Sequence, residues 1–239
     1  MIVAIHQPEH LPWLGFFDKL RQADLWVSLD HVQYRKNYFQ HRNRILGERG
    51  PIWLTVPVQG KGRFGQRLND VRIDNETNPR WRHKCWNSVV QHYGQAPHFQ
   101  EHRPFFAGLY DREWSSLAEL NETIIDYLMG ALGFSVRKVR SSELGVEGVR
   151  GDLLMRICQE VGASAYLSGI SGREYLDFAQ FETAGIEVRV QEFHHPVYQQ
   201  LHQPFVPCLS AIDLLFNHGP RSLDAICGRG VETMGHVFQ

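Results

Sequence analysis

The first thirty residues constrain the fold more than any other part of the chain. Residues 2–5 form a short apolar run that predicts a buried strand, and residues 25–29 form a second one. Between them Pro12 suits the first turn of a helix. The apolar face of that helix recurs at helical spacing and comprises Trp13, Phe16, Phe17 and Leu20. A strand, a helix and a strand in so short a stretch predict a βαβ unit with parallel strands.

Strands and helices alternate again after a helical middle. Asn78-Pro79 and the capping box that begins at Ser116 predict helices, so residues 78–132 are interpreted as a helical insertion. Further strands are predicted at 52–58, 136–139, 165–167 and 186–190, and further helices at 152–161 and after Ser210. This alternation predicts an α/β fold with a Rossmann-like, mainly parallel sheet. We expect one domain over residues 1–239 that carries the helical insertion.

The composition excludes several classes of protein. Hydrophobic residues make up 43% of the 239 residues and the formal net charge is −1, which predicts a buried core and no overall field for nucleic acid or membranes. No apolar run is long enough to cross a membrane, and no charged leader precedes the first strand. The four cysteines are widely spaced and are expected to be free thiols. We therefore expect a cytoplasmic protein without membrane insertion or general nucleic-acid binding; a homo-oligomer stays open.

Polar side chains follow the first two predicted strands directly. His6, Gln7 and Glu9 come after the first strand, and Asp30 comes after the second. Because ligands bind at the carboxyl ends of parallel strands, we expect these groups to lie close together at a site. His6 is the candidate acid or base, since imidazole titrates near neutral pH, and Asp30 is the candidate group that orients it. The alternative is that His6 is a hydrogen-bonded core residue.

Three further stretches offer binding groups. An anion such as a phosphate or carboxylate fits the polar and cationic side chains after the second strand, which are Gln33, Lys36, Asn37, Asn43 and Arg44. A glycine-containing turn after a short strand lets backbone approach a ligand and contains Gly169, Gly172 and Tyr175. A later turn adds His195 as a catalytic candidate, with Tyr198 and Gln199 as binding candidates. The alternatives are a solvated loop and two ordinary tight turns.

Three other features each have two interpretations. Trp13 is either a stacking wall for a ligand or the start of the apolar helix face. Residues 60–65 carry Lys61 and Arg63 between glycines; they are either a cationic lid over an anion or a surface turn, and we favour the turn because GxxxxGK[ST] is absent. A metal site is a separate alternative, for which the candidate ligands are His6, His10, Asp30 and His31. The spacing does not require one, and we predict no metal site.

Motifs along most of the chain resemble the WbqC-like protein family. The early ones are His6-Gln7-Pro8, Pro12-Trp13-Leu14-Gly15, Ala23-Asp24, Leu29-Asp30, Val32-Gln33, Lys36-Asn37 and Gln40-His41-Arg42-Asn43-Arg44. The later ones are Tyr166-Leu167-Ser168-Gly169, Tyr175-Leu176-Asp177, His195-Pro196-Val197-Tyr198-Gln199 and Leu209-Ser210-Ala211-Ile212-Asp213-Leu214-Leu215. Family members are associated with bacterial polysaccharide clusters, including O-antigen, and with natural-product pathways. The resemblance therefore implies a glycan-related role and leaves the reaction open.

Residues and resemblance together give one main hypothesis and several alternatives. The main hypothesis is an enzyme that transfers an acyl or aminoacyl group to an amino group of a nucleotide-linked sugar or related small molecule, with His6 as the general base. The alternatives are a nucleotidyltransferase that needs Mg²⁺, a non-catalytic glycan- or nucleotide-binding component, and a metal-dependent hydrolase. The sequence identifies no cofactor.

Overall fold

A five-stranded parallel sheet forms the centre of the protein, whose computed structural model describes residues 1–234. Its strands are β1 (Ile2–His6), β2 (Leu25–Ser28), β5 (Arg137–Arg140), β6 (Ala165–Ser168) and β7 (Glu187–Val190). Two further pairs are antiparallel and comprise β3 (Arg42–Gly47) with β4 (Gly50–Thr55), and β8 (Pro196–Val197) with β9 (Glu232–Thr233).

The strand order of the central sheet is β5-β2-β1-β6-β7, and every neighbouring pair is parallel. The chain therefore places β2 and β5 on one side of β1, and then β6 and β7 on the other side. In sheets of this kind the crevice between the two diverging halves is where ligands bind. The predicted α/β, Rossmann-like architecture is confirmed, and its switch point lies between the carboxyl ends of β1 and β6.

Helices cover both faces of this sheet. They are α1 (Leu14–Arg21), α2 (Trp81–Tyr93), α3 (Phe99–Asp111), α4 (Leu117–Ala131), α5 (Arg150–Glu160), α6 (Phe178–Thr183), α7 (Ala211–His218) and α8 (Ser222–Ile226). Ala4 and Trp26 pack into a core shared with α1 to α4 and α7. Val3 and Val27 point to the opposite face and pack with α5 and α6. Both strands are apolar up to their last residues, His6 and Ser28, because helices bury both of their faces.

The predicted helical middle consists of α2, α3 and α4. The Ser116 side chain accepts a hydrogen bond from the Glu119 backbone N–H, so the cap predicted from the sequence begins α4. The buried side chains of these helices share one core cluster with the central sheet. Whether the chain behaves as a single domain stays a prediction.

The second half of the 33–44 segment differs from the sequence prediction. The sequence indicates a polar segment there and no strand, but Arg42–Gly47 forms β3 and pairs with β4 outside the central sheet. The polar residues of this strand made it hard to identify from the sequence. In the structure Arg42 and Arg44 are half-buried on the face that also carries Trp53, and both guanidinium groups lie over the Trp53 ring. The strand predicted at 52–58 is correspondingly found at Gly50–Thr55 in this hairpin.

The remaining sequence expectations concern membranes and thiols. Within residues 1–234, no helix has the length and apolar character needed to cross a membrane. All four cysteines are free; Cys85, Cys158 and Cys208 are buried and Cys227 is half-buried.

Candidate functional site

A cavity of about 240 Å³ lies at the switch point of the sheet. We call it the switch-point cavity. It is lined by residues from the end of β1, from α1, from the 33–41 segment, and from the loops after β6 and β7: His6, Glu9, Trp13, Gly15, Phe16, Lys19, Tyr38, Phe39, Gly169, Ile170, Ser171, Gln191 and Phe193. Its walls are largely aromatic, while its carboxyl, amino and imidazole groups come from β1, the loop after it and α1.

Three ionisable side chains meet in this cavity. Lys19 is buried, and its Nζ donates a hydrogen bond to the Ile5 carbonyl at 3.0 Å. Glu9 is 6% exposed, and its Oε2 has no hydrogen-bond partner within residues 1–234. His6 is half-buried, and its Nδ1 lies 3.0 Å from the Gln7 carbonyl, which can only accept. The His6 proton therefore sits on Nδ1, which leaves Nε2 free to accept a hydrogen bond from a ligand.

Burial shifts the pKa of each of these groups toward its neutral form. Burial, followed by the charge of Lys19, lowers the pKa of His6 to about 3. Burial raises the pKa of Glu9 to about 8 and lowers that of Lys19 to about 8, and in each case the charge of the other residue partly opposes the shift. His6 is therefore a neutral hydrogen-bond acceptor at neutral pH, whereas Glu9 and Lys19 change charge close to it.

This combination is suited to proton transfer on a bound substrate. A general acid or base works best when its pKa lies near the operating pH, a condition that Glu9 and Lys19 meet and His6 does not. Strongly shifted pKa values inside a cleft are typical of functional sites. The geometry therefore favours Glu9 as the proton-transferring group, with His6 orienting the substrate.

The end of β7 is fastened to α1 across the cavity. Gln191 Nε2 donates to the Gly15 carbonyl at 2.9 Å and to Asp18 Oδ2 at 2.6 Å. Trp13 and Phe193 close the same wall, their rings meeting edge to face at 5.5 Å. Trp13 thus packs against the core and also lines the cavity, while its role as a stacking wall for a ligand stays a prediction.

A buried amide on α4 fixes the opposite wall. Asn121 Nδ2 donates to the carbonyls of Pro8 at 3.0 Å and Gln40 at 2.7 Å. Gln40 Nε2 in turn donates to Gln7 Oε1 at 2.6 Å, so Gln7 supports the wall. These contacts join the loop after β1 to the 33–41 segment, and this brings Phe39 to the cavity.

Asp30 does not lie in this cavity. Its carboxylate accepts hydrogen bonds from the Ser141 and Ser142 hydroxyls at 3.0 and 2.6 Å and from the Ser142 backbone N–H at 2.9 Å. His31 also contacts the Ser141 hydroxyl, at 2.6 Å. Asp30 thus ties the loop after β2 to the loop after β5, and the structure gives no contact through which it would orient His6. Within residues 1–234, no group of three or more potential ligands is placed to hold a metal ion.

His195 is a buried residue whose two ring nitrogens both bond to backbone. Nδ1 donates to the Pro196 carbonyl at 2.8 Å, and Nε2 accepts from the Cys208 N–H at 3.1 Å. Tyr198 is buried and donates its hydroxyl hydrogen to Asp213, and the Gln199 carbonyl lies 3.2 Å from His218 Nε2. None of these three predicted site residues lines the switch-point cavity, so His6 and His195 do not share it.

The predicted anion-binding residues divide into two groups. Gln33, Lys36 and Asn37 line a second, larger cavity next to the first. Asn43 is buried and donates to the Leu11 carbonyl at 2.8 Å, and Arg44 donates to the Cys208 carbonyl at 3.3 Å, so these two support the hairpin.

The loop after β6 contributes backbone rather than side-chain chemistry. Gly169 lines the cavity together with Ile170 and Ser171. Gly172 stands behind them, where a Cβ atom would lie only 1.9 Å from Ser168 Oγ. Tyr175 is 48% exposed and does not line the cavity.

A wider depression lies between β4 and α2 and encloses about 480 Å³. Trp53 and Trp81 line it, together with Cys85 and Lys84. Burial raises the pKa of the Cys85 thiol to about 12, so this depression offers no activated nucleophile. The switch-point cavity is therefore the stronger candidate despite its smaller size.

Sequence reasoning missed most of the cavity's decisive side chains. Glu9 was placed near the site but not among the site residues, and Lys19 was not identified at all. The sequence signal for Lys19 was weak: Asp18-Lys19 stands between the apolar residues Phe17 and Leu20 of α1, and the structure shows that both are buried. Four further lining side chains come from segments that are distant in sequence, and no local pattern indicates that they reach the cavity: Tyr38, Phe39, Gln191 and Phe193.

Comparison with known proteins gives a family and one relative. A model of the WbqC-like protein family matches residues 7–225. An uncharacterised protein of Mycobacterium tuberculosis (strain H37Rv), Rv1507c, is 34% identical over 224 residues, which cover 93% of this chain and 96% of that protein. No solved structure matches the chain significantly.

Proposed function

This chain belongs to the WbqC-like protein family, whose name specifies no reaction, and from its site we propose a transferase that moves an acyl or aminoacyl group onto an amino sugar or related small molecule. One observation carries the proposal: Glu9, Lys19 and His6 line one cavity at the switch point of a parallel sheet. The biosynthetic setting that fits is bacterial polysaccharide, including O-antigen, or natural-product assembly, as the family resemblance implies.

The chemistry of this transfer matches the three groups. The acceptor amine attacks the carbonyl carbon of the donor, a C–N bond forms, the bond to the leaving group breaks, and one proton moves from the amine to the leaving group. The Glu9 carboxylate takes that proton and passes it on, since burial brings the pKa of Glu9 near neutral pH. His6 Nε2 accepts a hydrogen bond from the amine, and the Lys19 charge stabilises the developing oxyanion.

The first test is thermal stabilisation by a panel of amino sugars, nucleotide sugars, acyl-CoA and aminoacyl donors. A ligand at one hundred times its Kd stabilises the folded state by about 2.7 kcal/mol, a readily measured shift. Glu9→Gln keeps the shape of the side chain but removes the base, so we expect turnover to fall by about 10²–10⁴-fold with ligand binding largely kept. The matched control is Glu182→Gln, an exposed glutamate on α6.

One outcome would contradict the proposed base and another the transferase itself. Unchanged turnover in Glu9→Gln would remove the proposed base. Stabilisation by a glycan or nucleotide, with no product from any donor, would instead support a non-catalytic binding component.

A further inference from the structure

A second cavity, open to the surface and about 1790 Å³ in volume, adjoins the first. We call it the basic groove. Most of its wall comes from residues 31–37, 55–58, 60–67 and 147–150. The segments 31–37 and 60–67 are joined through backbone, because Tyr34 N–H donates to the Gln66 carbonyl and Leu68 N–H to the Val32 carbonyl, both at 2.9 Å. Residues 60–65 form an exposed turn, as the sequence favoured, and this turn leads directly into the paired residues 66–68.

The charge of this groove is strongly one-sided. Six cationic side chains line it, namely Arg35, Lys36, Lys61, Arg63, Arg67 and Arg150, against the single carboxylate of Glu147. That carboxylate already pairs with Arg67 at 3.0 Å. The other five cations form no ion pair within the described residues. Since the whole chain carries a formal charge of −1, this concentration of positive charge is local and marks a surface for an anion.

Two other side chains indicate what kind of anion fits. Phe64 lies on the 60–65 loop and is 96% exposed, which gives an aromatic face for a flat ring beside the cations. His31 lines the groove, is 6% exposed, and has no partner for its Nε2 within residues 1–234. Buried polar atoms are normally hydrogen-bonded, so this nitrogen is a candidate to contact a ligand.

One segment separates the groove from the switch-point cavity. Arg35, Lys36 and Asn37 face the groove, whereas Tyr38 and Phe39 line the cavity. The segment is held in place, because the Arg35 guanidinium lies 4.4 Å from the centre of the Tyr38 ring and Arg42 donates to the Asn37 carbonyl at 2.6 Å. A ligand anchored in the groove thus has the reaction site next to it.

We propose that the basic groove binds the diphosphate and base of a nucleotide-bearing substrate, whose reactive end enters the switch-point cavity. Arginine binds phosphate oxygens through two parallel hydrogen bonds and lysine acts as a point charge, and the groove contains both. This rests on the proposed function and specifies a substrate class that it leaves open, namely the acceptor if the ligand is a nucleotide amino sugar and the donor if it is a coenzyme A thioester. The shared chemistry is a diphosphate joined to a nucleoside, which occurs both in nucleotide sugars and in coenzyme A.

The test measures binding of UDP, ADP, coenzyme A and inorganic pyrophosphate by calorimetry. Wild-type protein is compared with the double variant Lys36→Glu/Arg63→Glu, which reverses two exposed groove charges. Arg103→Glu is the matched control, since Arg103 is an exposed cation on α3 away from the groove. We expect at least one of the first three compounds to bind, the groove variant to bind it at least tenfold more weakly, and the control to match wild type. Pyrophosphate should bind more weakly than the nucleotides, and Phe64→Ala should remove that difference.

The preference among UDP, ADP and coenzyme A identifies the source of the diphosphate. Equal affinity in wild type and the groove variant would overturn the proposal, as would binding of single-stranded RNA but of none of the small compounds. The two proposals fail separately: Glu9→Gln reports on the switch-point cavity through turnover, and the groove variant reports on phosphate binding.

Discussion

Glu9 is a buried carboxyl group whose ionisation works against folding. Burial raises its pKa from 4.5 to about 8, so between these values the unfolded chain releases a proton that the folded chain keeps. The contribution of Glu9 to stability is therefore fully present below about pH 4.5 and is lost as the pH rises through about 8. In Glu9→Gln we expect this loss to disappear, so that the variant gains about 1–3 kcal/mol relative to wild type from acid to alkaline pH.

Urea denaturation across this pH range measures the difference. His6 behaves oppositely, because its lowered pKa makes stability fall as the pH drops from 6.5 toward about 3. Since His6 is present in both proteins, the difference between them reports on Glu9 together with the effect of its charge on the pKa of Lys19. Glu182→Gln should follow the wild-type curve. Parallel curves for wild type and Glu9→Gln would mean that Glu9 is not buried as described.

His195 is expected to matter for stability rather than for chemistry. Its ring bonds to two backbone groups, the Pro196 carbonyl and the Cys208 N–H, inside the core. His195→Ala leaves both unsatisfied and opens a cavity, so the free energy of unfolding should fall by about 2–4 kcal/mol. The folded variant should still bind ligand in the switch-point cavity, so a ligand should still raise its melting temperature. Normal stability with lost turnover would instead return His195 to the catalytic set.

These residues show how far a sequence can predict a site. His6 follows a strand that the apolar run identifies, so its place at the sheet edge follows from local pattern. Asp30 follows the second strand just as clearly, yet its carboxylate is hydrogen-bonded to Ser141 and Ser142, which lie far along the chain. A sequence indicates which side chains reach an edge, but not which distant partner has already satisfied them.

At the scale of elements, the turn after β6 depends on the absence of a side chain at Gly172. A Cβ there would lie 1.9 Å from Ser168 Oγ and 3.0 Å from Ser168 Cβ. Gly172→Ala should therefore displace the 169–171 loop, lower stability by about 1–3 kcal/mol and weaken ligand binding in the switch-point cavity. Ser168→Gly removes the two Ser168 atoms and leaves Leu176 Cδ1, at 3.0 Å, as the nearest atom, so the double variant should bind better than Gly172→Ala alone. Thermal shift without and with ligand measures the stability of the variants and their ligand binding. If the double variant bound no better than Gly172→Ala, the defect would come from another contact.

The helices and strands could be predicted from the sequence where a local pattern defines them. The βαβ opening and the caps at Ser116 and Ser210 are found as predicted, because apolar spacing and a local hydrogen bond define them. β3 was missed because its arginines lie over an aromatic ring on the neighbouring strand instead of pointing into solvent. Such a strand is stabilised by its partner, so its own residues do not show the period-two alternation that identifies strands.

For the whole molecule, the continuity of the core predicts how the helical middle unfolds. Side chains of α2, α3 and α4 share one cluster with Ala4 and Trp26 of the central sheet, and α4 also holds two loops of the site through Asn121. A separately folding insertion would need its own core. The chain should therefore unfold in one transition, detected together by far-UV circular dichroism and tryptophan fluorescence.

Two matched core variants test this at opposite faces of the sheet. Leu128 of α4 and Ile157 of α5 are both fully buried, in the two different clusters. Leu128→Ala and Ile157→Ala should each lower the free energy of unfolding by about 2–5 kcal/mol and move the whole transition in both signals. If Leu128→Ala shifted only part of the transition, residues 78–132 would be an independent unit. The position of the wall that α4 provides to the switch-point cavity would then depend on how two separately folded units pack together. Ligand affinity would follow the strength of that packing instead of the global stability.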